Sequence, residues 1–283
     1  MRVGVYEVDG EPTLYVHDGD AAASLGTVDL VELLRDGTAA QRIADAAAGA
    51  TPGGGPPQGA RRLAPLRRPG KQVFVGVNYH DHVDELPPPW TMTADPFLFA
   101  KLPSAIIGPG EAIVIPGPEN KVDYEVELLV VIGRRAKHLT EADALDHVFG
   151  YTIVNDVTER VIQATDSQLI WGKGFDTFCP MGPDIVLTDE IPDPAGLGIW
   201  TTVNGEERQR SSTDNFIFSI PDILARITRH ITLEPGDTVS TGTPAGVGYV
   251  KDPPVFLAPG DTVTVGVDRI GELTNTVRAG WED

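Results

Sequence analysis

Residues 122–132 read VDYEVELLVVI, a run without glycine or proline and rich in β-branched residues, which predicts a strand. Taken with period two, one face is Val122, Tyr124, Val126, Leu128, Val130 and Ile132. The other is Asp123, Glu125, Glu127, Leu129 and Val131. This second face starts acidic and ends apolar, so it runs from an acidic mouth into a core. Glu125 and Glu127 then stand roughly 6.5–7 Å apart and aim the same way. Two carboxylates in one partly buried space repel each other unless a cation or a proton intervenes. Oxygen ligands alone suit Mg²⁺, Mn²⁺ or Ca²⁺ over zinc or copper. The alternative is an edge strand whose acids face water and deter aggregation.

Composition narrows the partners. The chain has 283 residues, room for one large domain or one domain and a small appendage. With 22 basic and 41 acidic side chains its formal charge is −19, which disfavours nucleic acid and an anionic membrane surface as partners. The opening MRVGVYEVDG lacks the basic and apolar regions of a secretion signal, and no stretch approaches a membrane span. A cytoplasmic protein is expected. One cysteine, Cys179, excludes an internal disulfide and a multi-cysteine metal site; between Phe178 and Pro180 it reads as a buried thiol. The six histidines show no H-x-x-x-H zinc pattern.

Along the chain, residues 2–8 and 12–17 are strand-like and 29–35 and 39–48 helix-like, followed by TPGGGPPQG (51–59), a linker or long loop. Residues 60–71 carry four arginines and two prolines and read as a solvated connection. From Lys71 short strands recur at 72–77, 97–102, 112–115, 122–132, 149–155, 185–188, 198–203, 237–241, 262–268 and 273–278. Helical patterns are fewer, at 79–86, 140–147, 157–169 and 220–230. Many strands, few helices and no regular βα alternation predict a β-rich α+β fold. The expected division is a first segment with its linker over 1–60 and a main domain from Lys71 onward.

Four further groups bear on chemistry. YTIVND (151–156) ends a strand at Asp156, either a helix N-cap or a third carboxylate beside Glu125 and Glu127. In GVNYHDHVDE (76–85), His82 and Glu85 are three apart on one helical face, either an exposed pair or an oriented general base. Lys173 lies between glycines in an aromatic-rich loop, where it either reaches an anionic substrate or stays on the surface. TGTPAGVG (241–248) lacks a nucleotide-binding spacing; it is a plain turn or a cradle whose amides and Thr243 hold a carboxylate.

In their order these blocks, with KLPSAIIGPGEAIVIP (101–116), WGKGFDTFCPMGP (171–183), DNFIFSIPDILA (214–225) and LEPGDTVSTGTPAGVG (233–248), resemble the fumarylacetoacetate hydrolase family over residues 71–278. The resemblance implies a mixed β-sandwich roll as catalytic domain over 71–283, a small α+β N-terminal domain with its linker over 1–60, and a homodimer. It implies a Mg²⁺ or Mn²⁺ site on Glu125, Glu127 and Asp156, a His82–Glu85 dyad and an active-site Lys173. Arg160, Gln163 and Thr243 match substrate-holding positions, and Lys101 is placed with them. Some members have an additional aspartate ligand where this chain has Asn78, which points to the three-carboxylate branch acting on acylpyruvates, oxaloacetate and related 2-oxo acids. The implied chemistry is metal-stabilised enolate formation, with His82 activating water in a hydrolase. The leading expectation is C–C hydrolysis of an acylpyruvate-type 1,3-diketo acid. The alternatives are oxaloacetate decarboxylation, a 2-hydroxyhepta-2,4-diene-1,7-dioate isomerase/decarboxylase, and, outside enzymes, a metal-binding scaffold. A lid is expected at 87–94, with Trp90 or Met92 lining the pocket.

Overall fold

The acidic strand forms in two pieces. In the computed structural model, which describes residues 1–86 and 93–281, Val122–Asp123 pairs with Thr158–Glu159, and the ladder resumes at Val126–Ile132 after a break at Tyr124 and Glu125. Side chains fill the break. Asn155 Oδ1 accepts the Glu125 N–H at 2.9 Å, and Gln209 Oε1 accepts the Val126 N–H at 3.1 Å. Buried backbone donors need such partners, so the kink depends on residues distant in sequence.

The Val126–Ile132 strand is central. Across its sheet the order is Thr51–Pro52, Ala21–Gly26, Glu11–Asp18, Arg2–Val8, Cys179–Leu187, Val148–Asn155, Val126–Ile132, Thr238–Ser240, Gln72–Gly76 and Phe97–Ala100. Its alternating side chains divide between two cores. Leu128, Val130 and Ile132 pack with Ile199, Val263, Val265 and Leu273 of a second, five-stranded sheet. Leu129 and Val131 pack on the other face with Val3, Leu14, Val16, Leu30 and Leu34. The strand-rich α+β expectation is met, and the N-terminal strands continue the central sheet: Arg2 and Val3 pair with Val186 and Ile185. No helix among the described residues is long and apolar enough to cross a membrane.

Several local expectations change. The pattern at 157–169 is not one helix. Residues 158–159 are captured as a strand by Val122–Asp123, Arg160–Gln163 makes a single turn, and a new turn starts at Ile170–Lys173. Glu159 caps the first turn by accepting the Ile162 N–H, and Asp166 starts the second by accepting the Trp171 N–H at 2.6 Å. At 140–147 only the tight turn Ala144–His147 forms, and the strand expected at 185–188 runs from Cys179 to Leu187. Glu206–Ser212 pairs with Gly198–Val203 as an edge strand that its polar sequence, EERQRSS, does not announce. The expected lid residues 87–92, Trp90 and Met92 among them, lie outside the described residues.

Since Leu128 is fully buried between the two sheets, Leu128→Ala should cost about 2–5 kcal/mol of stability by chemical denaturation. A loss below about 1 kcal/mol would contradict this packing.

Candidate active site

Two adjacent antiparallel strands bring the carboxylates together. Val126 faces Asn155 and Glu127 faces Val154, so Glu125 and Asp156 sit just beyond the paired ends, joined where Asp156 N–H donates to Glu125 O at 2.8 Å. Glu125, Glu127 and Asp156 each offer an oxygen, and these oxygens lie within 4.8 Å of one another. All three residues are buried. Among the described residues no other group of this kind forms.

Cations surround the cluster. Lys173 Nζ donates to Glu125 at 2.9 Å, to Asp156 at 2.5 Å and to the Thr158 hydroxyl at 2.9 Å. Lys101 Nζ takes the other Asp156 oxygen at 2.6 Å and the Val157 carbonyl at 2.9 Å. Arg160 bridges Asp123 at 2.8 Å and Glu125 at 2.7 Å. Burial alone would raise the Glu125 carboxyl, but Lys173 and Arg160 outweigh it and hold it at about 2. Glu127 goes the opposite way: burial, and then the charges of Asp156 and Glu125, push its carboxyl well above the usual range. Burial likewise opposes the Lys173 charge, yet Asp156 and Glu125 raise it, while at Lys101 burial wins and lowers the ammonium.

This donor set fits a divalent cation. Four buried carboxylates, Asp123, Glu125, Glu127 and Asp156, face three cations, Lys101, Arg160 and Lys173, which leaves one negative charge. The excess falls on Glu127, whose carboxylate receives only neutral donors, the Ser240 hydroxyl and the Gly242 N–H. A hard cation on the three oxygens would relieve it and leave the site net positive toward an anionic ligand.

The dyad stands across the cavity. His82 Nδ1 lies 2.6 Å from Glu85 Oε1. A carboxylate only accepts, so Nδ1 carries the proton and Nε2 is left as the basic nitrogen. The 241–249 loop fastens both sides. Its amides donate to carboxylates of the chain itself: Gly242 to Glu127, Ala245 to Asp81, Gly246 to Glu85, and Gly248 and Tyr249 to Asp123. These amides are therefore committed internally, which takes them out of any amide cradle for a ligand. Thr243 differs. Gln209 Oε1 accepts the Val126 N–H, so its amide nitrogen faces the Thr243 hydroxyl, donates at 2.9 Å and leaves the hydroxyl proton free.

A cavity of about 400 Å³ is lined by His82, Glu125, Glu127, Arg160, Lys173 and Thr243, and also by Gln163. Asp156 lies beneath Lys173, and Glu85 behind His82. Lys101 is the correction: its ammonium is fully enclosed and holds Asp156, so it is a strut and not a substrate contact. Asn78 is fully buried and its amide serves backbone, donating to Thr241 O and Phe218 O and accepting from Phe218 N–H. Sequence reasoning passed over Asp123, Ser240, Gln209 and the apolar wall of Phe97, Phe99, Ile217 and Phe218. Of these only Asp123 carried a signal, its place on the acidic face of the strand. Cys179 is buried as expected and its thiol is pushed up to about 12 by burial.

Comparison with known proteins gives a consistent picture. The model of the fumarylacetoacetate (FAA) hydrolase C-terminal domain matches residues 71–278. Human mitochondrial oxaloacetate tautomerase FAHD2A is 43% identical over 217 residues, 76% of this chain and 68% of that protein. A Dictyostelium discoideum homologue of fumarylacetoacetate hydrolase domain-containing protein 2 is 42% identical over 226 residues, 76% of this chain and 73% of that protein. Among solved structures, fumarylacetoacetate hydrolase from Exiguobacterium antarcticum superposes with a TM-score of 0.86 at 38% identity, covering 99% of both chains. Maleylpyruvate hydrolase from Sphingobium sp. SYK-6, solved with manganese(II) and pyruvate, gives 0.81 at 29% identity over 99% of this chain and all of that one.

A carboxyl raised by the fold contributes stability below the ordinary carboxylate range and loses it as pH rises through its raised value. Glu127→Gln should therefore raise the melting temperature of chelator-treated protein near neutral pH, roughly 2–4 °C per kcal/mol relieved, and weaken Mg²⁺ or Mn²⁺ binding. A metal-free melting temperature that falls would contradict the charge balance. Lys101→Met leaves Asp156 short of a buried partner and should cost about 3–5 kcal/mol, read by denaturant titration.

Proposed function

The chain belongs to the fumarylacetoacetate hydrolase family, and within that family of enzymes we propose that it moves a proton at C3 of a metal-bound 2-oxo acid, interconverting the keto and enol forms of oxaloacetate. The observation that carries this reading is the His82 imidazole. It is fixed by Glu85 at 2.6 Å and lines the same cavity as Glu125 and Glu127. Relatives 43–44% identical are named oxaloacetate tautomerases, which supports oxaloacetate as the first substrate to try.

A Mg²⁺ or Mn²⁺ ion on Glu125, Glu127 and Asp156 would stabilise negative charge developing on the 2-oxo oxygen. The side chains do the rest. Toward the enol, His82 Nε2 removes a proton from C3 and the 2-oxo oxygen takes one up; toward the keto form that oxygen gives up its proton and His82 delivers one to C3, Glu85 stabilising the imidazolium in between. Lys173 and Arg160, already held against Glu125, oppose the charge of the substrate carboxylate. Thr243 donates its free proton to a substrate oxygen, and Gln163 is positioned by the Arg160 guanidinium at 3.0 Å.

Hydrolysis of an acylpyruvate is the second reading. The wall formed by Phe97, Phe99, Ile217 and Phe218 favours it, since an apolar acyl group would sit against those side chains. In that reaction the same base deprotonates water, which attacks the distal carbonyl.

The test is a paired assay on chelator-stripped protein with Mg²⁺ or Mn²⁺ restored. It follows loss of enol absorbance from oxaloacetate, pyruvate formation from it, and cleavage of acetylpyruvate. Metal-restored ketonisation of the enol without pyruvate release is the expected result; cleavage of acetylpyruvate alone moves the assignment to the hydrolase. His82→Ala should lower kcat by about 10²–10⁴-fold while Mg²⁺ affinity stays within about twofold. A His82→Ala protein with full activity would remove His82 as the base.

A further inference from the structure

The helix that carries the dyad, His80–Glu85, has six residues, and its N-cap, Tyr79, makes no side-chain cap bond. So short a helix does not hold its own shape in water. It must be fastened from outside, and its fastening decides where His82 stands relative to the carboxylate cluster.

Tyr79 bridges to Phe216 at its start, the Gly246 N–H holds Glu85 at its end, and between them the tie is Asp81. One of its oxygens accepts the Ser211 hydroxyl at 2.5 Å and the Asn215 amide at 3.1 Å, and Asn215 also donates to the Ser211 hydroxyl oxygen at 3.1 Å. Its other oxygen accepts the Ala245 N–H at 3.4 Å. Ser211 belongs to the Glu206–Ser212 edge strand of the five-stranded sheet, and Asn215 to the turn that follows it. Glu127 stands on a strand of the central sheet, with Glu125 and Asp156 just beyond the paired strand ends. The dyad helix itself follows Gln72–Gly76, another strand of that central sheet, so Asp81 is what ties it across to the five-stranded sheet. Asp81 does not line the cavity, so it acts on the reacting atoms through its neighbour His82 and through the 241–249 loop.

We propose that Asp81, gripped by Ser211 and Asn215, is a positioning residue that sets His82 over the carboxylate cluster. The proposal rests on the reading of His82 as the base. Loosening the grip leaves the cavity and the three carboxylates in place but lets the imidazole leave its bond to Glu85.

The experiment uses the full chain loaded with Mg²⁺ and two variants, Asp81→Asn and the double variant Ser211→Ala with Asn215→Ala. The His82 Nδ1–H proton is observed by NMR, assigned by its absence in His82→Ala. Alongside it are measured kcat and KM for oxaloacetate and acetylpyruvate, Mn²⁺ affinity and the melting curve. Both variants should lose the protected Nδ1–H signal and about ten- to a hundredfold in kcat, with KM and Mn²⁺ affinity within about twofold. A signal and kcat that persist would overturn the proposal, as would a wild-type protein without a protected Nδ1–H. So would a fall in kcat matched by lost Mn²⁺ affinity and melting temperature, which marks general damage to the fold. Should wild type turn over neither substrate, the functional reading falls, and the NMR signal still decides the role of Asp81.

Discussion

Like charges held together out of water dominate this molecule. Glu125, Glu127 and Asp156 are buried within reach of one another, and carboxylates so placed are stable only when cations, donors or protons answer them. The answer is uneven. Lys173 and Arg160 meet Glu125 and hold its carboxyl down at about 2, Lys101 and Lys173 meet Asp156 from both sides, and Glu127 has only a hydroxyl and an amide. A site neutralised at two corners and not at the third is built to complete itself with a cation.

The same repulsion explains the 241–249 loop. Its backbone amides reach Glu127, Asp81, Glu85 and Asp123, which tie respectively to the cluster, the dyad helix, the imidazole and Arg160. One loop thus ties the dyad helix to the carboxylate cluster. Its glycines follow from this. Gly248 and Gly246 come so close to Val255 O and Arg208 O that a Cβ would lie at 1.8 and 2.2 Å.

Much of this was legible in the sequence. The period-two reading of 122–132 separated Leu128, Val130 and Ile132 from Leu129 and Val131, and the structure sends these sets to two different cores. The two-residue step from Glu125 to Glu127 and the three-residue step from His82 to Glu85 pick out the right side chains, though distant residues hold the break at Glu125 and the short helix in shape. Elsewhere the reading failed for a physical reason. The pattern at 157–169 has helical periodicity, but Val122–Asp123 takes its first residues as a strand. Nothing in EERQRSS predicts a strand, since its pairing comes from Gly198–Val203.

Lys101 marks the boundary most clearly. A lysine before a Leu-Pro step is charged and long enough to reach a substrate. Only the packed structure places it wholly enclosed behind Asp156. What the sequence by itself determined are the side chains able to do the chemistry and the alternation along Val126–Ile132, because alternation depends on backbone periodicity alone. The tertiary structure decided which charges face each other, which carboxylate is left short of a cation, and what fastens the base. Those are properties of groups far apart in the chain, and their energies depend on burial and distance, which exist only once the layers have packed.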